Sequence, residues 1–358
     1  MSLNNKLKVG ISLGNPNDIG IEIILKTFQK REMLEFFTPV IFGSTKLLSQ
    51  KKKKLGYNSI FFQGIASASE IVHKKINVVN VWKDSADNNN ENLIEEFARL
   101  ANISFTSGIE SLKQGQIDLL IIDSWSNSFL DGVQLLEVLK NDLGGSPYDM
   151  ILNENLRISF VNRGGKLNDF SQSLKKEDLS KYIKLINKTL VQDFCIEKPK
   201  IAVLGVNNFS QDVTLIGKEE LKIIEPSVKE CFERGILAFG PYSADSFFEN
   251  FEYTSFDAVL AMNEQQVLAH CDISFKENNF SFVGGTPYIV FRSNQNFSDV
   301  SNIEIEVNTN NSFEQAIFSG IKIYKDRKEY IDLKTNSLKK VKIDGIDMSL
   351  DEDLPDEE

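Results

Sequence analysis

The chain has 358 residues, 41% of them hydrophobic, too long for one ordinary core and rich enough to bury two α/β domains. Its formal charge is −11, but residues 344–358 hold eight acids and no base, which leaves about −3 for the body. A nearly neutral body with only seven arginines (31, 99, 157, 163, 234, 292 and 327) excludes the basic footprint of a nucleic-acid binder and offers few bidentate phosphate clamps.

In chain order, residues 9–13 (VGISL) read as the first strand and 14–18 (GNPND) as a tight turn. Residues 19–28 follow as a helix, with Ile19, Ile23 and Phe28 apolar. Gly10, Gly14 and Gly20 do not make G-x-G-x-x-G, so they give no dinucleotide fingerprint. Residues 39–42 (PVIF) form a second strand. Ser44 is placed to cap the next helix, which carries Leu47, Leu48 and Leu55, with the lysines at 51–54 as a solvated face. Residues 60–62 and 78–81 are strand candidates, and 84–92 is a polar loop. The longest helical pattern is 93–114, through Leu93, Phe97, Leu100, Ile103 and Ile109. A buried strand at 118–122 ends in 123–127 (DSWSN), where Trp125 reads as a lid or core aromatic.

Residues 129–143 read as a helix broken by 144–147 (GGSP). The strand 157–161 (RISFV) runs into 162–166 (NRGGK), a turn whose glycine pair, arginine and lysine are also capable of holding an anion. Residues 174–194 form an amphipathic helix with Leu179, Ile183, Ile186 and Leu190 on one face. Residues 201–206 are a β-branched strand leading into 207–212 (NNFSQD), a loop with no His, Cys or Lys. The helix after it, opened by 217–220, is expected to bury Leu221, Ile224 and Val228. Then come an extended 235–241, a short helix led by Asp245, and a buried strand at 257–262 with a polar loop after it. Residues 288–291 and 303–307 (IEIEV) read as strands and 312–328 as a helix. Everything after about 331 reads as an extension ending in a disordered acidic tail at 344–358. Strands alternate with helices, so the class is α/β with a mostly parallel sheet.

No apolar run approaches the roughly 20 residues of a membrane helix. The start passes from a short polar lead into a strand without a signal peptide's apolar stretch. Cys195, Cys231 and Cys271 are odd in number and far apart, which fits a reducing compartment. The expected location is the cytoplasm.

Four strand-end motifs carry a resemblance. Residues 14–22 read GNPNDIGIE, residues 205–212 read GVNNFSQD before Gly217, Glu219, Glu220 and Pro226, residues 240–248 read GPYSADSFF, and residues 257–267 read DAVLAMNEQQV. In spacing and order these resemble the 4-hydroxythreonine-4-phosphate dehydrogenase family, PdxA, over roughly residues 7–330. The resemblance implies a two-domain fold like that of isocitrate and isopropylmalate dehydrogenases. It implies a first domain at 1–127 plus 288–330, a second, dimerising domain at 128–287, and an extension at 331–358. It also implies a homodimer whose cleft is built partly by the partner subunit. The implied chemistry is oxidation of a phosphorylated hydroxy acid with NAD and a divalent metal held by three histidines. The implied cleft positions are Gly14, Asn15, Asp18, Asn127, Gly164, Asn207, Phe209, Asp245, Glu264, Asp272 and Arg292.

At those positions the chain departs from the family pattern. The three metal histidines fall at Gly164, Phe209 and Glu264. The phosphate-binding lysine falls near Asp272 and a loop lysine at Asn127, while Arg292 can stand in for the family arginine. His73 reads as a surface residue. His270 adjoins Cys271 and Asp272, but neighbours along a strand point to opposite faces, which is poor metal geometry. The expectation is therefore a family homologue that has lost metal-dependent catalysis, with no metal and no assured cofactor, and with NAD only by resemblance. Two alternatives stay open: a working dehydrogenase with rearranged catalytic residues, and a different ligand in the same cleft. No nucleic acid or membrane is expected, and the sequence names no protein partner.

Overall fold

The computed structural model describes residues 6–16, 19–82, 93–122, 132–153, 156–162, 174–207, 217–268, 270, 280–293 and 305–336. Their strands form a single twelve-stranded sheet. In chain order these are β1 (Lys8–Ser12), β2 (Thr38–Gly43), β3 (Phe62–Ile65), β4 (Ile76–Asn80), β5 (Leu119–Ile122), β6 (Tyr148–Asn153), β7 (Leu156–Asn162), β8 (Lys200–Leu204), β9 (Leu237–Tyr242), β10 (Ala258–Asn263), β11 (Phe280–Gly284) and β12 (Val290–Ser293). The spatial order is β3-β4-β2-β1-β5-β12-β11-β6-β7-β10-β8-β9.

Two parallel blocks make up the sheet. β3, β4, β2, β1, β5 and β12 run one way, and β7, β10, β8 and β9 run together in the other block. Between them β11 is antiparallel to both β12 and β6, and β6 is antiparallel to β7. The two blocks therefore point in opposite directions, and their carboxyl ends face opposite edges of the sheet.

The strand sequences explain the layering. β2 (TPVIFG) and β10 (AVLAMN) are buried at every position, as strands covered on both faces must be. One face carries a continuous core running from Val9 and Ile11 to Ile201 and Leu260. The other face carries two separate cores, one around Phe42, Leu120 and Leu139 and one around Ile158, Phe247 and Val259. The helices are α1 (Gly20–Gln29), α2 (Met33–Phe36), α3 (Thr45–Lys54), α4 (Leu93–Lys113), α5 (Gly132–Leu143), α6 (Lys176–Phe194), α7 (Glu225–Glu233), α8 (Ala244–Glu249), α9 (Glu264–Leu268) and α10 (Ile305–Thr335). Ser44 caps α3 as expected, its hydroxyl accepting from the Leu47 N–H at 3.4 Å. His73 is exposed, as expected.

Three expectations need correction. Residues 305–307 are the first turn of α10, so the 303–307 stretch is not a strand. Five alternating residues are too few to fix a period, and Ile and Glu both continue into the helical pattern behind them. The same helix runs on to Thr335, past the expected start of the extension at 331. Leu221 is 51% exposed, although Ile224 and Val228 are buried. A π-helical turn at Glu220–Ile224 explains this. It holds one residue more than an α-turn, so the residue facing the core ahead of it is Glu220, one place earlier than a 3.6 period predicts. The acidic tail and the turns at 123–127, 163–166 and 208–212 lie outside the described residues.

Candidate functional site at the strand ends

β8 ends at Leu204, and the chain then turns through Gly205, Val206 and Asn207. The backbone N–H groups of Val206 and Asn207 both donate to Glu220 Oε1 at 2.8 Å. Asn207 Nδ2 lies 3.3 and 3.2 Å from the two oxygens of the same carboxylate. Glu220 is fully buried, so its charge is spent inside the protein on donors that would otherwise be orphaned. Gly217 makes room for it: a Cβ there would sit 2.2 Å from Glu220 Oε2 and 2.6 Å from Asn207 Nδ2.

Gln266 does the matching job at the end of β10. Its Oε1 accepts from the N–H groups of Met262 and Asn263 at 3.0 and 3.2 Å. Its Nε2 donates to the carbonyls of Gly205 and Val206 at 2.6 and 3.3 Å. The β8–β10 ladder stops at the Leu260–Val203 pair, and Gln266 staples the two strands beyond that point. Asn263 Oδ1 accepts from the Gln266 N–H at 3.1 Å, opening α9. Asn263 also pairs in register with Asn162 at the end of β7. Among the described residues, the carboxyl edge of this block thus carries the carboxamides Asn162, Asn207, Asn263 and Gln266.

Glu264 is half-buried at the start of α9. Asp245, in the first turn of α8, accepts from His270 Nε2 at 2.8 Å. The His270 ring stacks on Phe248, with centroids 5.5 Å apart and planes at 15°. Arg292 on β12 donates through its NH2 group to Asp149 Oδ2 at 2.9 Å. Both partners are largely buried, with side chains 11% and 5% exposed, so this guanidinium is already matched by a carboxylate. A cavity of about 640 Å³ opens beside Asn162 and Asp149, between α5, α6 and the β6–β7 ends. Tyr148 and Tyr182 meet edge to face there at 5.4 Å. The Tyr182 hydroxyl donates to the Phe160 carbonyl at 2.9 Å, and burial pushes the Tyr148 phenol well above its ordinary value.

Asn207, Asp245 and Glu264 all belong to the β8–β10 end of the sheet. Gly14 is buried and Asn15 half-buried after β1. β1 lies six strand spacings from β10, roughly 29 Å along the sheet. Asp18, Asn127, Gly164, Phe209 and Asp272 lie outside the described residues. Sequence reasoning missed the Glu220 anchor, the Gln266 staple, the Asp245–His270 pair and the Arg292–Asp149 pair. Only the first two had a signal, as fixed polar residues inside quoted motifs.

At the positions where the resemblance places the metal histidines, Gly164 and Phe209 bring no ligand atom and Glu264 brings one carboxylate. Among the described residues, no three His, Cys, Asp or Glu side chains come together as a metal-holding group.

Changing Glu220 to Ala should cost about 3 kcal/mol, because two backbone donors lose their acceptor in a buried place. Glu220→Gln, which keeps one acceptor oxygen, should cost less than half of that. Denaturant midpoints check the order. Equal costs would show that the charge, and not the acceptor, holds the turn.

The family model of the pyridoxal phosphate biosynthetic protein PdxA matches residues 35–293. The chain is 31% identical over 344 residues to a 4-hydroxythreonine-4-phosphate dehydrogenase of Bacteroides thetaiotaomicron, covering 94% of each chain. It is 28% identical over 289 residues to a protein of the same name from a Sulfurihydrogenibium species, covering 79% of this chain and 88% of that one. The crystal structure of the Klebsiella pneumoniae 4-hydroxythreonine-4-phosphate dehydrogenase superposes with a TM-score of 0.71 at 20% identity, over 89% of this chain and 99% of that one. That last likeness is one of fold.

Proposed function

We propose that this chain, which belongs to the PdxA family, keeps the family fold and its strand-end cleft but does not carry out metal-dependent oxidation there. The observation that carries the reading is the donor set. Gly164 and Phe209 stand at two of the three positions where the resemblance places metal histidines. Among the described residues the β8–β10 edge carries carboxamides, and two of its carboxylates are bound internally, Glu220 by backbone N–H groups and Asp245 by His270. Such an edge can hydrogen-bond a neutral polar ligand. It supplies no Lewis acid to polarise a hydroxyl.

The experiment is metal analysis of the purified full chain after dialysis against zinc, magnesium or manganese. Less than one tenth of an equivalent of any of them is the expected result. One chelator-removable ion per chain would sink the proposal. The 31% identity to a dehydrogenase along nearly the whole chain supports a second reading, an active enzyme with relocated catalytic groups. NAD turnover that persists in the presence of chelator would favour it.

A further inference from the structure

We propose that the acidic segment 344–358 docks in cis on the lysine-rich end of α3 and the exposed Phe61 beside it. α3 packs against β3 and β4, and β4 lies eight strand spacings from β10, roughly 38 Å along the sheet. The patch is therefore separate from the strand-end edge.

The last turn of α3 holds Lys51, Lys52, Lys53 and Lys54, a run of cations in a chain whose formal charge is −11. Cations suit a helix C-terminus, but the partial charge there, about half an electron, offsets only a fraction of this run. Elsewhere lysines meet carboxylates: Lys30 with Glu314, Lys184 with Glu230 and Lys322 with Asp326, at 2.7, 3.0 and 3.2 Å. Among the described residues Lys52, Lys53 and Lys54 form no such pair, and Lys53 and Lys54 are exposed. Lys52 donates to the Ile60 carbonyl and lies over the Phe61 and Phe62 rings, 5.2 and 5.8 Å from their centroids. Phe61 is still 71% exposed and Leu55 39% exposed. The patch is thus cationic and apolar at once.

The segment 344–358 has the complementary composition. It carries eight acids and no base, with Ile346, Met348, Leu350 and Leu354 spaced among them. It also has the reach. α1 packs against both α3 and α10, and all three helices cover the same face of the sheet. Lys30, at the end of α1, meets Glu314 of α10, and the neighbouring Arg31 donates to the Ser59 carbonyl beyond α3 at 3.4 Å. From Glu314 to Thr335, α10 runs roughly 32 Å. Residues 336–350 span up to about 50 Å when extended, enough to return along that helix and bring 351–358 to the lysines. Such a tether holds the acids at an effective concentration on the order of millimolar, which a free polyanion would have to exceed.

Fluorescence anisotropy with a labelled peptide of residues 344–358 tests this on the full chain and two full-length variants. The first variant neutralises the attached segment by Asp351→Asn, Glu352→Gln, Asp353→Asn, Asp356→Asn and Glu357→Gln. It should bind the peptide at least about tenfold more tightly than the unaltered chain, whose own segment competes. The second adds Lys53→Glu and Lys54→Glu, which are exposed and leave the core untouched, and it should lose that binding. Salt at about 0.5 M should weaken the binding sharply. Equal binding by the unaltered and the neutralised chain would overturn the proposal, as would binding that survives the lysine reversal. So would a mass that rises toward a dimer with concentration only when the acids are intact, because they would then serve a second copy.

Discussion

Given NAD, 4-hydroxythreonine 4-phosphate and a divalent metal ion, the purified chain should form NADH at least about 10⁴-fold more slowly than a family member with three metal histidines. The expectation rests on the joint loss of separate parts. Gly164 and Phe209 cannot ligate, and Glu264 alone cannot hold the ion. By the same resemblance, Asp272 stands where a lysine would meet the phosphate, and Asn127 replaces a second lysine. Arg292, which the resemblance offers as a stand-in for the family arginine, already serves Asp149 at 2.9 Å. Each lost charge-assisted contact costs roughly 1.5–3 kcal/mol, and loss of the metal removes several more from transition-state stabilisation. Parts that act as a unit do not add, but even about 6 kcal/mol is a 10⁴-fold loss. The combined Gly164→His, Phe209→His and Glu264→His substitutions should restore metal binding first. Activity should follow only when Asp272→Lys is added. Metal-dependent NADH formation by the unaltered chain, abolished by chelator, would refute the expectation.

The sheet was legible where strands are buried on both faces. β2, β5 and β10 are short continuous apolar runs, and such runs need no partner to be recognised. The two strands that sequence reasoning passed over, β6 (YDMILN) and β11 (FSFVG), are the ones that join the blocks. Each is antiparallel to both of its neighbours, and their extended form is set by the ladder around them more than by local preference. The site was legible as motifs and not as geometry. Gly217, Glu220 and Gln266 can be read off the chain as family-like positions. Only the fold shows that the Glu220 carboxylate and the Gln266 amide are consumed in holding the strand ends. The Asp245–His270 contact joins residues 25 apart in sequence with no local pattern to announce it.

Arg327→Ala should be among the most destabilising single substitutions in this chain, at about 3–5 kcal/mol near neutral pH. Arg327 sits on α10 and Asp193 on α6, and both are buried. Nε and the NH2 group meet the two carboxylate oxygens at 2.6 and 2.9 Å, a bidentate pair. The NH1 group donates to the Pro287 carbonyl at 2.9 Å, so one side chain ties two helices to the turn before β12. Removing it strands a carboxylate among apolar neighbours and orphans a carbonyl. Burial already pushes the Asp193 carboxyl up, and the hydrogen bonds and charge of Arg327 are what oppose it. Without them Asp193 is driven further up and takes a proton on acidification. A carboxyl whose folded pKa lies above its unfolded one binds more protons when folded, so this contribution to stability grows as pH falls through the folded value. The variant's deficit should therefore be smaller at about pH 5 than at about pH 7. The double change Asp193→Leu with Arg327→Met removes both charges and should recover most of the loss, because well-packed apolar replacements of a buried pair come out near neutral. Denaturant midpoints at the two pH values measure all three effects. A single variant within about 1 kcal/mol of the parent, or a deficit that widens on acidification, would show that the pair is not what holds α10 to α6.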